Sequence, residues 1–261
     1  MEAEFDTFAK EYEQIHQKTI SISGEESFYF TELKINLLAD YFKKHNSTPK
    51  SILDYGCGTG RAYYPIQKKF PQIQYYGVDP SQQSINVAIE ATKSVAKEFS
   101  YHVTNNTQNN NHSHSNLNKT TSPPVYTVLQ SNQSLPLTDC CMCAVVAHHI
   151  PPANHNETFQ KIFDSLTPGG YLFLFEHNPH NPLTRKVVRD CPFDKDAILL
   201  KPSYAKKMLA SCGFQIEKLQ YYFFFPKSLS LLRPTEKMLS KVPFGAQYFI
   251  VAKKPLTHTK Q

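Results

Sequence analysis

Three glycines, Gly56, Gly58 and Gly60, stand within five residues directly after a short apolar run, in ILDYGCGTGR (52–61). Glycines spaced this way let a ligand approach the backbone closely. The residues around them decide which ligand. The dinucleotide pattern G-x-G-x-x-G needs a third glycine where Arg61 stands. An arginine there loses the close helix–strand packing that glycine allows. Asp54, just before the loop, would repel a pyrophosphate and suits a cation such as an ammonium or a sulfonium. Asp79 follows Gly60 by 19 residues, at the end of the next apolar run. A carboxylate in that place can hold ribose hydroxyls. The loop therefore favours a nucleoside with a positively charged tail and no phosphate, and disfavours NAD-type cofactors.

A second set of residues could do proton chemistry. His148 and His149 end the apolar run CCMCAVVAHH, and Glu176 and His177 end YLFLFEH. Histidine titrates near neutrality and is the common general base. Glu176 and His177 alternate along a strand, so at most one of them faces a given side squarely; His177 and, after it, His149 are the catalytic candidates. Asn178 and Asn181 each precede a proline and read as turn residues. Cys140 and Cys143 form a CxxC, but no second pair accompanies it. No metal is expected, and "CCMCAVVA" reads as a buried strand of small side chains.

The elements that must position these groups follow from periodicity. Phe5, Phe8, Tyr12 and Ile15 fall at helical spacing, as do Phe30, Leu33, Leu37, Leu38 and Tyr41. Residues 1–46 are therefore expected to form a helical cap, with the main domain over 47–261. In that domain SILD, IQYYGVD, VYTVLQ, CCMCAVVAHH and YLFLFEH read as successive strands separated by helices. Ser81 is a helix cap. FQIEKLQYYFFF and AQYFIVAKK supply two last strands. Residues 104–124 are Asn/Ser/Thr-rich without apolar periodicity and read as a mobile insert. The fold class is α/β: a Rossmann-like, doubly wound sheet, mostly parallel with an antiparallel edge strand and helices on both faces. Ligands of such sheets lie at the carboxyl ends of the strands, where all the residues above stand.

LDYGCGTG followed by GVDPS resembles the first two motifs of the class I S-adenosylmethionine (SAM)-dependent methyltransferases. SLPL, AVVAHHIP and LTPGGYLFLFEH continue the likeness in order, over roughly residues 45–180. The segment 175–194 is similar to one found in a bacterial subgroup of that superfamily. The resemblance implies SAM as cofactor, held by Asp54, Gly56, Gly58, Gly60 and Asp79, with His148 beside its methionine part. It also implies an adenine contact after strand three, where the family usually has an aspartate. Here Ser131 and Asn132 occupy that place.

Composition bounds the rest. The chain has 261 residues, 40% of them hydrophobic and 19% charged, which fits a globular protein. Its formal charge of +6 is spread along the chain, and no basic run with interleaved aromatics points to nucleic acid. No window reaches the length of a membrane span, although the positive charge fits peripheral membrane contact and an anionic acceptor or membrane-associated lipid. The acidic, amphipathic opening is unlike a secretory signal, so a cytoplasmic setting with reduced thiols is expected. The expected function is SAM-dependent methylation of a small-molecule acceptor such as a quinone, sugar, lipid-linked intermediate or natural product. The alternatives are a methyltransferase of RNA or protein, and a non-catalytic SAM-binding protein.

Overall fold

The computed structural model describes residues 17–93, 122–130 and 133–256. The first expected helix (Phe5 to Ile15) and all but the last three residues of the expected insert 104–124 lie outside the described residues.

Among the described residues seven strands form one sheet: β1 (Ser51–Tyr55), β2 (Gln74–Asp79), β3 (Val125–Val128), β4 (Thr138–Ala144), β5 (Leu166–His177), β6 (Gln215–Tyr222) and β7 (Gln247–Lys253). Their order is β3-β2-β1-β4-β5-β7-β6. Neighbours from β3 through to β5 pair in parallel. The antiparallel strand expected at the margin of the sheet is β7, which runs between β5 and the outermost strand β6.

Side chains alternate between the two faces with the period of two that a pleated strand imposes. Ile52, Cys140, Met142, Phe173, Phe175 and Phe249 pack toward one face, under helices α1 (Ser27–Lys44) and α2 (Tyr63–Lys69). Leu53, Cys141, Cys143, Leu172, Leu174 and Ile250 pack toward the other. Helix α3 covers residues 82–93, α4 is His155–Asp164, α5 is Pro182–Arg189 and α6 is Pro202–Ser211. Phe159 and Phe163 of α4, and Met208 and Leu209 of α6, cover the second face. Burial on both faces explains why these strands read as continuous apolar runs rather than alternating ones. It also separates Cys140 from Cys143, which point to opposite faces and cannot share a metal. All six cysteines are buried and free.

Local chemistry starts the helices that approach the site. Ser81 Oγ accepts from the Ser84 amide at 3.0 Å and caps α3 as expected. Asn181 does the same for α5, accepting from the Thr184 amide at 2.9 Å with Pro182 in the first turn.

The chain departs from the expected elements in two places. The fourth strand stops at Ala144, and Ala147–His149 form a single 3-10 turn. Val145, a β-branched residue, holds a left-handed φ of 61° at the break. The sixth strand stops at Tyr222, because Phe223 turns with φ 58°. The Glu236 carboxylate accepts from the amides of Phe223, Phe224 and Phe225 at 3.0–3.1 Å and fixes that turn. Both breaks fall where strands end, at the same margin of the sheet. No helix among the described residues is long and apolar enough to cross a membrane.

Candidate functional site

A cavity of about 630 Å³ opens where the carboxyl ends of β1, β2, β4 and β5 meet. Strand order reverses between β1 and β4, so this is the crevice where open α/β sheets take ligands. Asp54, Gly56, Gly58, Asp79, His149 and His177 all line it.

The glycine loop divides its labour. A Cβ on Gly56 would lie 2.4 Å from Val146 Cγ2, and one on Gly60 would lie 2.8 Å from the Tyr126 hydroxyl and 2.9 Å from Ala88. Those two glycines are required by packing. Gly58 differs: its φ is +51°, yet nothing lies within 4 Å of the Cβ position. The space beside Gly58 is cavity space, which is what a ligand approaching the backbone requires.

Two carboxylates flank the loop. Asp79 Oδ2 accepts from the Gly58 amide at 2.9 Å, and Oδ1 accepts from the Ser81 amide at 2.9 Å. The residue thus ties β2 to the glycine loop while facing the cavity. Asp54 is 3% exposed and accepts from the Tyr75 hydroxyl at 2.6 Å. Burial raises its pKa to about 7 against the lowering effect of that hydrogen bond, and the charge of Asp79 raises it further. A buried carboxyl poised near neutrality ionises readily when a cation arrives. Ser131 and Asn132 lie outside the described residues.

The opposite wall carries the histidines. His148 is not a lining residue; its ring is buried behind the wall. The 3-10 turn after β4 carries it inward, where its Nδ1 lies 2.6 Å from Glu176 Oε2. Glu176 Oε1 also accepts from the Ala147 amide at 2.8 Å. Burial opposes a charge on His148, but Glu176 and Asp194 outweigh it and hold the pKa up at about 9. Glu176 stays below the usual carboxylate range, because His148 overcomes the effect of its burial. Alternation along β5 then sends the next residue, His177, to the cavity. Burial, reinforced by the neighbouring His148 cation, lowers His177 to about 3, so its ring is neutral at physiological pH. The Gln247 amide lies 3.5 Å from His177 Nδ1 and is itself oriented by the Tyr222 hydroxyl, 2.6 Å from Gln247 Oε1. His149 Nε2 lies 3.2 Å from Asp194 Oδ1.

Lys34, Asp194 and Gln247 complete the wall, and none carries a local sequence signal. Lys34 is buried on α1 and donates to the Phe30 carbonyl at 3.3 Å. Burial, with Arg61 nearby, lowers its pKa to about 8. Arg61, which takes the place of the third fingerprint glycine, points to the same cavity and donates to Ser27 Oγ at 2.7 Å. Ile20, Phe30, Phe223 and Phe224 supply apolar lining. The lining therefore holds Asp54 and Asp79 by the glycine loop, two cations in Lys34 and Arg61, a further carboxylate in Asp194, and several aromatic side chains.

Known proteins share this architecture. A family model described as a methyltransferase domain matches residues 26–219. A probable S-adenosylmethionine-dependent methyltransferase of Saccharomyces cerevisiae is 34% identical over 58 residues, 22% of this chain. That match spans only 19% of the yeast protein. The magnesium protoporphyrin IX methyltransferase of Synechocystis PCC 6803, solved with bound SAH, superposes with a TM-score of 0.61 at 16% identity, over 96% of each chain. A SAM-dependent methyltransferase of Thermotoga maritima, a possible histamine N-methyltransferase, gives 0.58 at 16% identity, over 96% of this chain and 97% of its own. With the glycine loop, the paired acids and the strand order already pointing the same way, the family match over residues 26–219 identifies the chain as a member of the methyltransferase-domain family of class I SAM-dependent methyltransferases.

Proposed function

We propose that this protein transfers the methyl group of SAM to a small molecule that joins an apolar or aromatic body to an anionic or hydroxyl group. The observation that carries this reading is the mixed charged and aromatic lining of this cavity. Asp54 and Asp79 stand beside the open space at Gly58, and Lys34, Arg61 and the neutral His177 line the same cavity together with Phe30, Phe223 and Phe224. A volume of about 630 Å³ is in the range of small-ligand pockets.

On this reading Asp79 holds the ribose and Asp54 faces the cationic methionine portion. Ser131 and Asn132 serve the adenine. The sulfonium is already an activated donor, so the protein chiefly aligns the acceptor and excludes water. His177, neutral and held by Gln247, hydrogen-bonds the acceptor atom next to the methyl group, and His149 borders the same space. A ring whose conjugate acid is as acidic as that of His177 is a weak base, so positioning is its main contribution. Lys34 and Arg61 neutralise an acceptor anion.

The test is a labelled-methyl assay after a binding assay. S-adenosylhomocysteine at a hundred times its dissociation constant should stabilise the fold by about 2.7 kcal/mol, and NAD should not. Methyl-labelled SAM is then incubated with phenolic and carboxylate small molecules, with bulk RNA and with bulk protein. Label in the small-molecule fraction, falling at least tenfold in His177→Ala with SAM affinity kept, is the expected result. Label in RNA or protein, or binding without any transfer, overturns the small-molecule reading.

A further inference from the structure

In the cavity wall and directly behind it lies a group of side chains to which the reading above gives no chemical step. Two segments far apart in sequence, the turn after β4 and the turn that ends at Asp194, bring His148, His149 and Asp194 together, with ligand atoms all within 4.8 Å of one another. His148 Nε2 and Asp194 Oδ1 are 3.5 Å apart, and His149 Nε2 and Asp194 Oδ1 are 3.2 Å apart. Metal–ligand bonds of about 2.0–2.1 Å in a tetrahedron put neighbouring ligand atoms about 3.3 Å apart, so both distances match such an edge.

A second observation is independent of the spacing. His148 is 1% exposed, and its Nε2 makes no hydrogen bond among the described residues. A buried ring nitrogen rarely goes without a partner. The other nitrogen, Nδ1, is held by the Glu176 carboxylate at 2.6 Å, and Glu176 is fixed in turn by the Ala147 amide. A carboxylate behind a histidine is the usual outer support of a metal ligand: it directs the Nδ1 proton backward and leaves the Nε2 lone pair facing forward. The segment carrying Asp194 is pinned over the same histidine, since the Ile198 amide donates to the His148 carbonyl at 2.8 Å.

We propose that His148 Nε2, His149 Nε2 and Asp194 Oδ1 form a binding site for one divalent transition ion of the zinc class. Two imidazoles and one carboxylate suit Zn²⁺ or Co²⁺ rather than the oxygen-seeking Ca²⁺ or Mg²⁺. Ligation through Nε2 requires that nitrogen without its proton, so metal binding releases one proton from His148. His149 and Asp194 line the cavity, so the coordination position left open faces it. On the methyltransferase reading above, an ion there would polarise an acceptor hydroxyl.

The experiment reads metal content and spectra, so it is independent of methyl transfer. The full chain is stripped with chelator and titrated with ZnCl2 by calorimetry and with CoCl2 by visible absorption. One equivalent of Zn²⁺ should bind, and Co²⁺ should give d–d bands without sulfur-to-cobalt charge transfer. His149→Ala and Asp194→Asn should each weaken Zn²⁺ binding at least 100-fold, and Glu176→Gln about 10–100-fold. S-adenosylhomocysteine binding by each variant shows that it is folded. The two histidines of the Asn/Ser/Thr-rich stretch 104–124, His112 and His114, serve as the control, and replacing both with Asn should change nothing. Failure of the folded wild-type chain to bind Zn²⁺ overturns the site. So does unchanged binding in folded His149→Ala and Asp194→Asn, or loss in the His112/His114 variant alone.

Discussion

Asp54 should make cofactor affinity depend on pH, with a sign and a size that follow from its surroundings. In the empty cavity burial raises its pKa to about 7. A sulfonium and an ammonium beside it favour the ionised form, so binding should return the group toward the ordinary carboxylate value of about 4. The free-state pKa lies above the bound-state one, so affinity is full above pH 7 and falls as pH drops below it. Between pH 7.5 and pH 5 the two titrations predict that the Kd for SAM rises about 70-fold. The sulfonium keeps its charge over this range. Cys57 and Tyr75, pushed up by burial, stay protonated, and Asp79 is the other carboxylate facing the group. Calorimetric titration of SAM at several pH values measures the slope directly. Asp54→Asn should flatten it and bind several hundred-fold more weakly than the wild type at pH 7.5, the limit set by a fully protonated Asp54. A flat wild-type profile, or a slope that survives Asp54→Asn, refutes the assignment of Asp54 to the cationic end of the cofactor.

Gly58→Val should keep the fold and abolish SAM binding, because the new side chain enters open cavity space; the strain of a left-handed φ costs about 1–2 kcal/mol in melting experiments. Gly56→Ala should instead destabilise the protein itself, since its Cβ meets Val146 at 2.4 Å. Asp79→Asn should weaken SAM binding by about 10–100-fold, from the 1.5–3 kcal/mol of a charged hydrogen bond. Its melting temperature should also fall, because Asp79 serves the Gly58 and Ser81 amides, while turnover recovers at saturating SAM. Lys34→Met should raise KM for an anionic acceptor yet stabilise the fold near neutral pH. The Lys34 pKa of about 8 lies below its unfolded value, so the burial penalty is fully present at pH 7, amounts to up to about 3 kcal/mol, and fades as pH rises from 8 toward 10.5. Equal KM values for the variant and the wild type would remove Lys34 from the acceptor end.

The strand–helix alternation, the glycine loop and its acidic neighbours are legible in the amino-acid order alone. These are local: apolar runs bounded by breakers fix the strands, and Asp54, Gly56, Gly58, Gly60 and Asp79 lie within two adjoining strand ends. Strands that are buried on both faces leave an unmistakable apolar run, so β1, β2 and β5 were legible. The separate roles of those glycines emerge from packing, because Gly56, Gly58 and Gly60 look alike in sequence. The difference lies in Val146, Tyr126 and Ala88, which come from other elements. Packing likewise separates the neighbours His148 and His149. A single backbone break at Val145 sends one ring into a buried pair with Glu176 and leaves the other on the cavity wall. Lys34, Gln247 and Asp194 reach the site from α1, β7 and a 3-10 turn. No spacing rule connects residues so far apart, because their proximity is created by the sheet order and the packing of helices on it, not by any local preference of the chain.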